Sequence, residues 1–169
     1  MIAIHLRVPD AVQHGARSAQ LMPSWEQLRP SGMAKQLPII WSYKFDSNTQ
    51  QFVGRLAGDK ISQIFGKNFR GLPLMDAHPA SAFPWVHRLL CRVVLDPAIY
   101  RSVGRVFKQL ERYGLGERVI LPLATDGVVA DGLLGATDYQ YTHLGSSNEA
   151  IEVVTESEHW HCLRPARSR

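Results

Sequence analysis

The sequence predicts an α+β domain, five antiparallel strands in one sheet with helices on one of its faces. Three observations carry that expectation. Apolar residues alternate along 39–45 and 99–107. One strong amphipathic stripe at helical spacing runs through 81–96. Asp126-Gly127 stands between two apolar runs that have no helical period. Asp-Gly in such a place is a hairpin signal, because glycine accepts the positive φ that tight turns demand.

The composition agrees with a folded core. Of 169 residues, 45% are apolar and 20% charged, which excludes a wholly disordered chain. The length suits one domain with tails: an arm over 1–22, a domain over 23–140 and a tail over 141–169. A net charge of +4 is too mild to argue for nucleic acid, which is not expected as a partner. Cys91 and Cys162 are too few for a disulfide scaffold, so a reducing cytoplasm is the expected location. The N-terminal residues lack a signal-peptide pattern, and no apolar run approaches the roughly 18 residues of a membrane span, so no membrane association is expected.

Taken in order, residues 10–21 are expected to be partly helical with Asp10 as cap, and 23–38, broken by three prolines, to hold one or two helical turns. Ile39, Trp41, Tyr43 and Phe45 then share one face of a strand. A turn over 46–50 leads to a second strand carrying Phe52, Gly54 and Leu56. Gly58-Asp59 opens a short helix with Ile61, Ile64 and Phe65 on one face and Gly66 as its stop. Residues 67–79 read as a loop. In the long helix Ser81 is the expected cap, and Pro84 falls in the first turn, where its missing N–H is harmless. Val86, Leu89, Leu90 and Val93 form its stripe, widened by Trp85 and Val94, and Asp96-Pro97 ends it. A strand over 98–107 alternates Tyr100, Ser102, Gly104 and Val106 with Ile99, Arg101, Val103, Arg105 and Phe107. After a connection at 108–116 comes a strand over 117–123, whose Pro122 belongs at an edge or bulge. The last strand is expected over 128–138. Beyond Tyr141 an acidic stretch and then a basic one read as a tail with at most one short element.

Several turn signals recur in a definite order: Leu37-Pro38 before the first strand, Ala57-Gly58 after the second, Phe65-Gly66 closing the short helix, then Gly71. The back half carries Leu121-Pro122-Leu123, Asp126-Gly127 and Leu133-Leu134-Gly135. In element order and in these motifs the chain resembles a bacterial family of stand-alone PAS domains, over residues 22–140. The resemblance implies sensing or scaffolding and not catalysis. It implies a regulatory protein without its own effector domain that acts on a signalling protein by contact and pairs as a homodimer. Pairing would use the N-terminal arm and the outer sheet face with Ile99, Val103 and Leu121. It also implies a cavity between the sheet and the helices for haem, flavin or a small metabolite, with no cofactor as the first expectation. The alternatives are a haem or metabolite sensor with ligand-gated output and a nucleic-acid-associated regulator.

The candidate cavity liners are Trp41, Tyr43, Phe52, Ile64, Phe65, Val86, Leu90, Val93 and Ile120; a solid core would need the same side chains. His78 and His87 lie where haem-binding relatives place an axial ligand, although a helix-flank histidine is the plainer reading. Glu158, His159, His161 and Cys162 offer ligands for zinc or nickel without a second cluster to complete the set. Cys91 reads as a buried inert thiol. Asp126 and Asp131 read as a turn former and a surface strand residue. Arg88 and Arg92 on the helix, with Arg101, Arg105, Lys108 and Arg112 after it, could form one anion-docking surface, against the plainer reading of a solvated face. No nucleophile–base motif or phosphate-binding loop is present, so no enzyme activity is expected.

Overall fold

Three 3-10 turns, Trp25–Gln27, Pro30–Met33 and Leu37–Ile39, lead into a hairpin of β1 (Ile40–Asp46) and β2 (Gln51–Ala57). The computed structural model describes residues 21–28, 30–109, 112–143 and 155–163. After β2 come α1 (Asp59–Phe65), α2 (Leu74–Ala77), α3 (Phe83–Leu95), β3 (Ala98–Gln109), β4 (Arg112–Leu123), β5 (Gly132–His143) and β6 (Thr155–Cys162). The strands form one sheet in the order β2-β1-β5-β4-β3-β6, every neighbouring pair antiparallel. The expected α+β fold is therefore present with six strands where the sequence predicts five.

The sheet buries both faces. On the inner face Trp41, Tyr43, Phe45, Phe52, Tyr100, Ile120 and Leu133 meet Ile61, Leu74, Leu89, Leu90, Val93 and Val94 of the helices. On the outer face Ile40, Leu123, Leu134 and Ala136 meet Trp25, Leu28 and Met33 of the 3-10 turns. Met22, 1% exposed, belongs to the inner cluster, and the helical expectation for 10–21 falls outside the described residues apart from Leu21. Ile39 packs with the outer cluster, not with Trp41, because it ends a 3-10 turn before strand alternation begins.

Departures from the expected elements have local causes. Ser42 pairs with Leu56 but Tyr43 with Gly54, which leaves Arg55 as the extra residue of a bulge. The alternation reverses there, so Phe52 and Gly54 are buried while Leu56 is exposed. In α1, Gly66 takes φ 61° as the left-handed cap, as expected. The loop over 67–79 contains the one-turn helix α2, whose Leu74 is buried. Ala82, not Ser81, is the N-cap of α3, because a turn on the Pro79 carbonyl already takes the Ala82 and Phe83 N–H groups. Trp85 is 42% exposed and leaves the buried stripe to Leu89, Leu90, Val93 and Val94. The β3–β4 hairpin extends beyond expectation, pairing Lys108 with Tyr113. Pro122 pairs with Leu133 of β5, while the β3 ladder stops at Ile120, so the residue without an N–H sits where β4 has one neighbour. Residues 128–131 form loop and not strand. The Asp126 carboxylate accepts the Val128 and Val129 N–H groups and holds both valines out in solvent, with Gly127 at φ 75°.

The largest correction is β6. Residues expected to be tail pair along β3 from Ala98–Cys162 to Gly104–Thr155. Trp160 packs on the Tyr100 ring at 4.7 Å, Arg92 of α3 lies 3.9 Å over Trp160, and the Tyr100 hydroxyl donates to Glu158 Oε1 at 2.9 Å.

Candidate functional site

Strand parity assembles a polar group inside an otherwise apolar layer. Arg118 stands two residues before Ile120 and so faces the helices. Its neighbours across the sheet are Ser102 on β3 and Thr137 on β5, both buried. Arg118 Nε donates to Thr137 Oγ1 at 3.3 Å, and Nη2 donates to the Val106 carbonyl at 2.7 Å, beside the bulge in β3. Trp41 Nε1 also donates to Thr137 Oγ1, at 2.9 Å. With both acceptor positions of that hydroxyl taken, its own hydrogen is free to point elsewhere.

No carboxylate pairs with Arg118 among the described residues; the ion pairs there are Lys60–Asp138 and Arg101–Glu117. Burial pulls the Arg118 pKa down, the nearby phenols of Tyr100 and Tyr43 pull it back up, and the guanidinium remains charged. Tyr43, 2% exposed, has a hydroxyl with no hydrogen-bond partner. Burial raises its pKa, and the charge of Arg118 acts on it in the opposite direction. His78 stands edge-on to the Phe65 ring at 5.6 Å. Burial foremost, and then the Arg118 charge, holds its pKa down at about 4.

The nine side chains expected as cavity liners join one apolar cluster. Trp41, Tyr43, Phe52, Leu90, Val93 and Ile120 are buried in the inner cluster, and Ile64, Phe65 and Val86 pack against it. A sequence profile of the PAS domain matches residues 10–137, about three quarters of the chain. The chain belongs to the PAS domain family. No curated protein and no solved structure matches it significantly.

Other candidates fall differently on this PAS domain. His87 is held at the flank of α3, between the Phe52 and Phe83 rings, with Nε2 at 2.8 Å from the Gln50 carbonyl. Cys91 lies 3.7 Å from that imidazole, and burial raises its thiol pKa. Alternation along β6 puts His159 and His161 on one face and Glu158 and Cys162 on the other, so these four residues do not converge. Asp126 is the turn former expected, whereas Asp131 accepts the Trp25 indole N–H at 2.8 Å and ties the outer-face turns to the β4–β5 loop. The arginines divide. Arg88 and Arg92 belong to α3 on the inner side of the sheet. Arg101 pairs with Glu117 on the outer side, and Arg105 lies 4.7 Å over Tyr113. They do not form one surface. The side chains of Lys108 and Arg112 lie outside the described residues. Ile99 and Val103 are half-buried, and Leu121 packs into the outer cluster. Among the described residues no helix is long and apolar enough to cross a membrane.

Residue type alone does not single out Arg118. The signal is strand parity: Ile120 is expected inward, and a period of two puts Arg118 on the same face.

His78 also gives a testable pH dependence. The unfolded side chain takes up a proton near its ordinary 6.5, whereas the folded one stays neutral down to about 4. Between those values the unfolded state holds more protons, so stability falls as pH is lowered through that window. In urea titrations near pH 7 and pH 5, His78→Gln should lose about 1 kcal/mol less than wild type, after discounting for the partial exposure of the ring. An equal loss in both proteins would remove His78 from the account.

Proposed function

We propose that this PAS domain is a regulatory module that senses a small molecule on its inner sheet face and passes the state on by protein contact, without catalysing a reaction. Family membership supports a sensory or regulatory role. The observation that carries the finer reading is the Tyr43 hydroxyl. Burying an unpartnered phenol costs about 1–3 kcal/mol, and a bound molecule with a matching acceptor removes that cost. The output is contact with a signalling protein in the cytoplasm, and the module works as a homodimer paired through the N-terminal arm and the outer sheet face.

Light scattering on the full chain tests the pairing. The expected mass is twice the 19.0 kDa of one chain. Removal of residues 1–20, which leaves the buried Met22 in place, should reduce it to one chain. A monomer at high protein concentration would end the homodimer reading. The sensing reading is tested by native mass spectrometry of protein purified from its own host. A molecule released on denaturation and absent from a Tyr43→Phe, Arg118→Gln double variant is expected. Equal retention by the variant would place the molecule elsewhere.

A further inference from the structure

We propose that the free edge of β6 pairs with β6 of a second copy, and that His159 and His161 of the two chains then hold one zinc ion on the axis between them. The inference goes beyond the function proposed above, which needs no metal. Strand β6 ends the sheet, with β3 as its neighbour on one side. Among the described residues no strand pairs with its other side, which offers a row of N–H and C=O groups to another strand.

Alternation divides the side chains of β6. Trp160 and Glu158 stand opposite Tyr100 and Ser102 on the helix side. His159 and His161 stand opposite Arg101 and Ile99 on the outer face, and both imidazoles are exposed. Arg101, the cation across from His159, is neutralised by Glu117 of β4. Two imidazoles are half of a closed zinc set, and among the described residues no three metal-ligating side chains converge within one chain. A second copy can supply the other half.

Symmetry restricts how the copies pair. In an antiparallel pair, side chains directly opposite each other point to the same face. A two-fold axis normal to the sheet preserves that only when it passes beside a residue that faces its own counterpart. His159-Trp160-His161 reads the same in both directions. With the axis beside Trp160, His159 faces His161 of the second copy, and His161 faces His159 of the second copy. Four imidazoles then share one face, with their β-carbons about 4 Å from the axis, given roughly 6.8 Å between alternate residues along a strand and roughly 5 Å across a pair. That block suits tetrahedral nitrogen ligation of zinc. On the helix side the same register sets Trp160 against Trp160 of the second copy, a favourable cross-strand aromatic pair. An axis beside Glu158 would oppose two carboxylates, and one beside His159 would oppose only that imidazole to its counterpart. The metal therefore selects the register centred on Trp160.

Full-length protein, stripped with a chelator and dialysed, is titrated with zinc alone. Light scattering follows the mass, and elemental analysis gives the bound metal. One zinc per two chains is expected, with half-saturation at about 10 μM or below. The mass should at least double over that of the metal-free protein, and a chelator should reverse the change. Each histidine substitution removes two ligands from the shared site. His159→Ala and His161→Ala should each weaken zinc more than ~100-fold, beyond the loss that follows removal of an outer-shell partner, and abolish the mass change. Both positions are exposed, so the variants should keep the urea midpoint of the wild type. Cys162→Ser, on the helix side, should leave stoichiometry and mass as they are. Cobalt in place of zinc should give the intense visible absorption of a tetrahedral site in the wild type and in neither histidine variant.

Three outcomes overturn the proposal: no zinc bound up to about 1 mM, one zinc per chain with the mass unchanged, or binding that survives in both histidine variants and is lost in Cys162→Ser. None of them touches pairing through the N-terminal arm, which removal of residues 1–20 tests in metal-free protein.

Discussion

Gly58→Ala is expected to lower the melting temperature by about 8–16 °C, or to prevent soluble expression. A β-carbon at Gly58 would lie 1.9 Å from the Leu37 carbonyl oxygen and 2.6 Å from the carbonyl carbon and oxygen of Pro38. The obstruction is backbone on both sides. The Gly58 N–H donates to the Ile40 carbonyl at 2.8 Å, and its own carbonyl receives the first α1 bonds from Ile61 and Ser62. Backing away would therefore break the joint between β1 and α1. At least roughly 4 kcal/mol follows, at the upper end of single-substitution effects, and a domain of this size shifts by about 2–4 °C per kcal/mol. Conformation is not the cause, since Gly58 has φ −68° and ψ 165°, open to any residue. Gly32→Ala is the control: nothing lies within 4 Å of its β-carbon position, and a change within about 0.5 kcal/mol is expected. Thermal unfolding of the two variants decides. Equal melting temperatures would mean that the Leu37-Pro38 and Gly58 segments are not joined as described.

Ending the chain after His143 is expected to destabilise the domain by about 3–5 kcal/mol and to make it associate. The deletion removes the ladder along Ala98 to Gly104, the Trp160 ring on Tyr100, the Arg92 cation above it and the Glu158 acceptor of the Tyr100 hydroxyl. An aromatic pair and a cation over an indole contribute on the order of 1 kcal/mol each, and each net hydrogen bond about the same. It also bares β3 as an edge strand, a template for pairing with another chain. Trp160→Ala, which keeps the strand, should cost about 1–2 kcal/mol without association. Urea unfolding and light scattering read both effects. A truncated protein that stays monomeric at wild-type stability would show that β6 adds nothing to the domain.

These two results bear on what could be read from the chain. Leu37-Pro38 and Ala57-Gly58 stand out as separate turn signals, each with its own local meaning. Their dependence on each other is a contact between segments twenty positions apart, and no local pattern states it. Strand β6 was missed for a related reason. Its first half, Thr155-Glu156-Ser157-Glu158, is polar and acidic, its second half is His159-Trp160-His161-Cys162, and only Trp160 carries a large apolar surface. Such a strand gains its stability from Tyr100 and Arg92, partners that lie elsewhere in the sequence. Residues 128–131 show the reverse case. Val128 and Val129 have strand propensity, but the Asp126 carboxylate captures their N–H groups and turns them to solvent. The core membership of the nine apolar side chains is legible because residue type and packing agree. Arg118 was passed over because charge and burial disagree, and its position follows from strand parity, not from residue type.

Alternation, helical spacing and turn chemistry, all of them preferences of short segments, were enough to establish an antiparallel sheet, the long helix over its inner face and the membership of nine apolar side chains in one layer. Where Arg55 breaks the alternation, which segment covers the edge of β3, and that the Arg118 guanidinium reaches a hydroxyl and a carbonyl but no carboxylate among the described residues were decided by the folded arrangement. Those outcomes depend on pairing register and on charges brought together across the sheet, and both come into being only when distant parts of the chain are held side by side.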